Sequence, residues 1–202
     1  MDILYDAAAK FLILEQFEYQ FVISRRRKLK TIKLNFKNTD FFHIAGLQYL
    51  TDIIIPQDRA ETIKEIVINH SVSEQIISKS ENFISKDSKK DVKSRIEELR
   101  FLEEYLNTEN FIKIFNINNQ KGMSSVIRAD YLIESWFKNI SDIVYIFIRH
   151  REEDPEHYCI VSFFKKGEVA YSGDKVYFME KVRRFGNSEQ VIYANPNYRK
   201  PS

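Results

Sequence analysis

Cysteine, glycine and proline are scarce in this sequence, and each shortage excludes something. Cys159 is the one cysteine and stands in an apolar run, so no internal disulfide forms and a zinc site built on thiolates is ruled out. Five glycines and four prolines in 202 residues exclude a collagen-like or linker-dominated chain. Neither Gly122 nor Gly167 has further glycines at the offsets of a dinucleotide-type phosphate cradle. No apolar run approaches the roughly 20 residues that span a bilayer, and Asp2 and Asp6 stand where a signal peptide carries basic residues. The sequence therefore reads as cytoplasmic, with no membrane segment. Charge of one sign is also lacking: 31 basic against 29 acidic residues leave +2, which excludes a protein coated in positive charge.

What is present is enough for one sizeable core and short for two enzymatic domains. With no internal repeat and no Pro/Gly/Ser-rich linker, residues 1–202 read as a single α+β domain. Ala7, Ala8 and Ala9 among Leu4, Phe11, Leu12 and Leu14 predict a helix near the amino terminus. From Tyr19 the texture turns to strand, and two strands joined by the basic run Arg25-Arg26-Arg27-Lys28 fit best. With no Gly or Asn at the tip, a longer loop is expected there instead of a two-residue turn. Asn38, Thr39 and Asp40 are N-cap types and predict a helix from about Asp40 to Asp52, ended by Pro56. A helical block follows at about 58–106, in pieces near 58–69, 73–84 and 90–106. In the last of these Val92, Ile96, Leu99, Leu102 and Leu106 recur at spacings of 4, 3, 3 and 4. Strands are expected at 111–117, 125–137, 142–149, 158–165 and 176–185, with a further one near 190–193. The expected architecture is an antiparallel β-sheet packed by helices, the helical block lying between an N-terminal hairpin and a C-terminal β-rich part.

Charge is distributed unevenly. Between Phe17 and Lys37, Arg25, Arg26, Arg27, Lys28, Lys30, Lys33 and Lys37 face only Glu18, a local balance of about +6 that leaves about −4 for the rest. Such a segment is a footprint for a phosphate backbone, with Tyr19, Phe21 and Phe36 near it for stacking; a solvated hairpin turn explains it equally. His43, His70, His150 and His157 are scattered, so no metal site or cofactor is expected. His150 and His157 flank Glu152, Glu153 and Asp154, and a solvated loop accounts for these better than a cation site does. His43 lies just inside its expected helix, where the dipole disfavours imidazolium and keeps a neutral base available. Gly46 within a helix costs about 1 kcal/mol relative to Ala, which points to a close approach by another backbone or a ligand.

The string F-F-H-I-A-G-L-Q-Y-L-T-D-I at residues 41–53, after a lysine-rich strand, resembles an element of a phage-associated family in the barnase/EndoU/colicin/RelE nuclease superfamily. I-R-A-D-Y-L-I-E-S at 127–135, D-I-V-Y-I-F-I at 142–148 and I-V-S-F-F at 160–164, with Tyr171 beyond, look like the same family's later β elements in order. The resemblance implies a compact α+β fold found among metal-independent ribonucleases. In these a base removes the 2′-hydroxyl proton, the oxygen attacks phosphorus and an acid protonates the departing 5′-oxygen. It makes His43 the first choice for acid or base, and Arg128, Ser162 and Tyr171 groups for phosphate contact and proton positioning. Arg149 and Lys165 would supply charge at strand ends. Each also has a packing role open to it: Ser162 bonded to a neighbour, Tyr171 capping the core, Arg128 paired with Asp130 or Glu134.

The leading expectation is a toxin-like endoribonuclease of phage or mobile-element origin, with RNA as substrate and an antitoxin or other protein as a further partner. The rival is a non-catalytic nucleic-acid or protein binding module, such as a counter-defence factor, that keeps the scaffold. A third reading is a structural or dimerising protein using the helix at 90–106.

Overall fold

The computed structural model describes residues 2–108, 110–120, 127–137, 139, 142–168 and 170–200. Glu18–Arg25 (β1) and Lys28–Leu34 (β2) form an antiparallel hairpin in which Tyr19, Phe21 and Ile23 alternate into the core. Arg25 pairs with Lys28, so the turn is Arg26-Arg27 alone, both at positive φ, 49° and 65°. The longer loop expected from the missing Gly and Asn is therefore a two-residue turn: strand pairing sets it, and two residues with side chains bear the left-handed backbone, at about 1–2 kcal/mol each.

Among the described residues the later strands are Asn110–Ile114 (β3), Tyr131–Ser135 (β4), Val144–His150 (β5), His157–Lys165 (β6), Asp174–Phe185 (β7) and Ser188–Ala194 (β8). Residues 125 and 126 of the strand expected at 125–137 lie outside the described residues. Pairing runs β1-β2-β6-β5-β4-β3-β7, and β7 returns to β1, from Glu18 opposite Arg184 to Ser24 opposite Tyr177. The expected antiparallel sheet is thus corrected to a seven-strand barrel with β8 added along the later half of β7. Closure covers strand edges that would otherwise invite pairing with other chains. One neighbouring pair, β2 with β6, is parallel, Lys33 opposite His157 and Leu34 opposite Tyr158. No hairpin can join parallel strands, so the helices and β3–β5 carry the chain between them.

Ile3–Leu14 (α1) starts at Asp2, whose carboxylate accepts from the Leu4 and Tyr5 amides. Its Phe11 meets Phe36 and Phe41 at ring distances of 6.0 and 5.6 Å, in the main core with Tyr19, Ile32, Ile146 and Phe163. The helix expected at 40–52 is broken up. A 3₁₀ turn at Asn38–Asp40 leads into Phe41–Ile44 (α2), Gly46 turns left-handed at φ 81°, and a second 3₁₀ turn covers Leu47–Tyr49. Asp40 does not cap α2 with its side chain, because Arg151 and the Lys37 amide occupy it.

Arg59–Val67 (α3) forms as expected behind Asp58, which accepts from Glu61 N at 2.8 Å. Glu74–Ile77 (α4) is a single turn and not a helix over 73–84. Beyond it Asp52 accepts from the Ser80 hydroxyl and from the Glu81 amide, side-chain bonds that compete with helix continuation. The helix expected at 90–106 is two, Val92–Leu99 (α5) and Leu102–Asn107 (α6), split where the Phe101 amide tightens onto Glu98 O. The whole apolar stripe from Val92 to Leu106 is nevertheless buried, as its spacing predicts.

Candidate functional site

His43 is half-buried on α2, its ring 5.7 Å from that of Phe42 and nearly perpendicular to it. Burial, and then the Arg59 guanidinium at the start of α3, lower its pKa from the ordinary 6.5, so the imidazole is neutral at physiological pH. The helix dipole does not supply this effect, contrary to the expectation from sequence, since α2 is one turn long and His43 stands in its last turn. Desolvation and a nearby cation do so instead. Gln48 follows on the next turn, and its amide donates to His43 O at 3.5 Å.

What fixes this turn is Arg95 of α5, only 1% exposed. Its guanidinium donates to Lys89 O through Nε at 2.9 Å and to Ile44 O through Nη1 at 3.2 Å, with a longer bond to His43 O at 3.5 Å. The cation thus sits at the C-terminal carbonyls of α2, where positive charge is favoured. It lies 5.5 Å from the Tyr49 ring centre and 5.4 Å from that of Phe164. Burial pushes its pKa down to about 10, still protonated at neutral pH. Gly46, expected inside a helix with another backbone or a ligand against it, instead turns left-handed outside α2 and is approached by a side chain: a Cβ there would lie 2.7 Å from Arg95 Cδ.

Arg95 also ties in Ser162 of β6, donating from Nη2 to Oγ at 3.4 Å. Ser162 and Tyr171 are 8% and 4% exposed. Tyr171 packs on Phe147 and Tyr145, at 5.1 and 5.5 Å, in a second aromatic cluster with Phe115 and Phe164. The structure therefore brings His43, Ser162 and Tyr171 into one neighbourhood through Arg95 and Phe164. Sequence reasoning missed Arg95, although its offsets of three from Val92 and four from Leu99 place it on the apolar face of α5.

Arg128 is elsewhere. It is exposed and lines a cleft of about 370 Å³ with Arg149, His150, Asn116, Asp130 and Glu152. His150 there bonds Pro155 O through Nδ1 at 2.9 Å, and its Nε2 lies 2.8 Å from the Tyr158 hydroxyl. The acidic loop is tied down on each side: Glu152 pairs with Arg149 and Glu153 with Lys37, and Asp154 bonds the His157 ring, which also reaches Glu18 at 2.8 Å. Arg151, 4% exposed, forks onto Asp40 and bonds Asn35 Oδ1 at 2.7 Å.

The basic list divides as well. Lys33 pairs with Glu156 and Lys165 with Glu98 and Asp142. Arg26, Arg27, Lys28 and Lys30 are exposed, and Lys30 Nζ lies 5.3 Å from the centre of the Tyr131 ring. Arg25, Arg26, Lys28 and Lys30 line a cavity of about 330 Å³ at one end of the barrel, with Ile114, Tyr131 and Val176. Among the described residues no group of three or more His, Cys, Asp and Glu side chains converges as metal ligands would, and no helix is long and apolar enough to cross a membrane.

The family model described as phage-Barnase-EndoU-ColicinE5/D-RelE like nuclease 4 matches residues 3–191, which takes in α1 and the whole seven-strand barrel. No curated protein and no solved structure matches this chain.

Proposed function

Because this chain belongs to the phage-associated Barnase/EndoU/Colicin/RelE-like nuclease family, we propose that it is a metal-independent endoribonuclease, toxin-like and active in the bacterial cytoplasm, with His43 as its general base. The observation that carries this is the electrostatic setting of His43: a neutral imidazole, half-buried, with the exposed Arg59 beside it. The neutral ring accepts the ribose 2′-hydroxyl proton, the 2′-oxygen attacks the adjacent phosphorus, and the P–O5′ bond breaks to leave a 2′,3′-cyclic phosphate, the departing 5′-oxygen taking its proton from water. In this reading the Arg59 guanidinium stabilises charge on the phosphoryl oxygens. Arg95 acts on the backbone of His43 and is a positioning residue.

The test is cleavage of tRNA, mRNA and rRNA in EDTA, wild type beside His43→Ala. A fall of about 10²–10⁴ in rate is expected, the range for loss of a general acid or base, with folding retained. Equal cleavage by the variant would remove His43 from the mechanism.

The second reading, a binding module without catalysis, is favoured by the burial of Ser162 and Tyr171, which keeps both hydroxyls from a substrate. It predicts no cleavage by the wild type and binding that weakens with salt when Arg26 and Arg27 are intact.

A further inference from the structure

Away from His43, the face of β7 carries a groove of about 280 Å³ walled by Phe111, Trp136, Tyr177, Phe178 and Tyr193. Two of its rings are exposed, Phe111 at 53% and Tyr177 at 71%, and Trp136, Phe178 and Tyr193 are half-buried. Phe111 and Trp136 lie 5.3 Å apart at 47°, and Lys175 Nζ sits 5.5 Å from the Phe111 ring centre. Tyr177 is shared with an adjoining cavity of about 350 Å³ lined by Ser24, Arg25, Arg26, Asp174 and Lys175. The β1–β7 pairing, Ser24 opposite Tyr177, is what brings the hairpin tip to this place. Arg25 is ion-paired with Asp174, but both groups are exposed, so solvent screens the pair and the cavity keeps a positive balance. A cationic pocket and an aromatic pocket thus meet at one exposed tyrosine.

We propose that this surface binds single-stranded RNA, with phosphates against Arg25, Arg26 and Lys175 and an unpaired base stacked among Phe111, Trp136 and Tyr177. The ligand class follows from the pairing of features. Cations track a phosphate backbone, and aromatic faces take any base that is free of a duplex. The volume, just below the roughly 300–1,000 Å³ of pockets for drug-sized ligands, suits a single base. That the nucleic acid is RNA rests on the activity proposed above; the groove itself requires only unpaired nucleotides. The strain at Arg26 and Arg27 belongs to the same surface, since a turn that could relax with Asn-Gly instead holds out two guanidiniums.

Trp136 is the only tryptophan in the chain, so its fluorescence reads the groove directly. The full chain is titrated with a 2′-O-methylated pyrimidine oligonucleotide of about 12 nucleotides, within the site sizes of single-strand binders. This probe has no 2′-hydroxyl to attack phosphorus, so binding is measured apart from cleavage. Saturable quenching by the single strand, and none by the same sequence in a duplex, is expected. Tyr177→Ala should weaken binding about tenfold, the loss of one stacked base. Arg25→Ala with Arg26→Ala should reduce the slope of log affinity against log salt by about one to two. Absence of quenching, equal quenching by duplex, or affinity unchanged in Tyr177→Ala would overturn the proposal; a groove that takes a protein partner gives the first of these. Quenching without RNA cleavage in EDTA would leave the groove standing and remove the nuclease reading. Cleavage without quenching would do the reverse.

Discussion

Arg95 and the Arg26-Arg27 pair are the same kind of residue used in opposite ways. Arg95 is buried, its guanidinium bonded to the carbonyls of Lys89, Ile44 and His43, and the chain makes room for it by having no Cβ at Gly46. Arg26 and Arg27 are exposed, and there the backbone is bent into left-handed conformations beneath them. In the first case the structure closes around a charge to hold the turn that carries His43. In the second it spends backbone strain to keep charges in solvent, where a ligand can meet them. Position in the fold, not residue type, separates a cation that holds a backbone turn from one left open to solvent.

The sharpest way to break this contrast is Arg95→Met. Methionine fills much of the volume but leaves the carbonyls of Ile44 and Lys89 without their donor in the interior. We expect a loss of about 3–5 kcal/mol by urea denaturation, the sum of several unsatisfied buried groups. A loss under about 1 kcal/mol would mean that the turn holds itself and Arg95 is incidental. Gly46→Ala comes next: φ is 81° and the new Cβ would lie 2.7 Å from Arg95 Cδ, so strain and clash together cost about 2–3 kcal/mol. Gly186→Ala is the control, with φ at 52° and nothing within 4 Å, and should cost only the backbone term of about 1–2 kcal/mol.

The exposed pair predicts the opposite sign. Arg26→Asn with Arg27→Gly supplies the residues that a primed turn prefers, and should stabilise the protein by about 1 kcal/mol. That is about 2–4 °C in Tm for a chain of this size. Single-strand binding should weaken in the same variant. Stabilisation without any loss of binding would show that the strained turn serves no ligand.

The same contrast explains how much was legible in the sequence. The strands were, because Tyr19, Phe21 and Ile23 or the run from Val144 to Ile148 carry their burial pattern locally. Barrel closure was not: it rests on β1 finding β7 across some 150 residues, and no local signal records that pairing. The two-residue turn at Arg26-Arg27 was hidden for the same reason, since the register of the flanking strands overrides turn propensity. His43 and Gly46 stood out as residue types in odd places. Arg95 did not, because a charged residue next to Ile96 looks like the polar side of a helix until α5 is seen to bury it.

The smallest effect is the most specific to His43. Burial, and then Arg59, hold its folded-state pKa below the ordinary 6.5. The folded protein therefore binds a proton less readily than the unfolded chain. Stability from this group is complete above about pH 6.5 and declines as pH falls through that value toward the folded pKa. If His43 is the base, the cleavage rate must rise with pH through the same depressed midpoint and then level. Arg59→Ala removes the second cause, so it should move the His43 midpoint upward, read by NMR of the imidazole, and move the acid limb of the rate profile by the same amount. Agreement of the two shifts would tie the titrating group to the chemistry. A rate profile that ignores Arg59→Ala while the imidazole midpoint moves would place the base on another residue and leave His43 a packing group of α2.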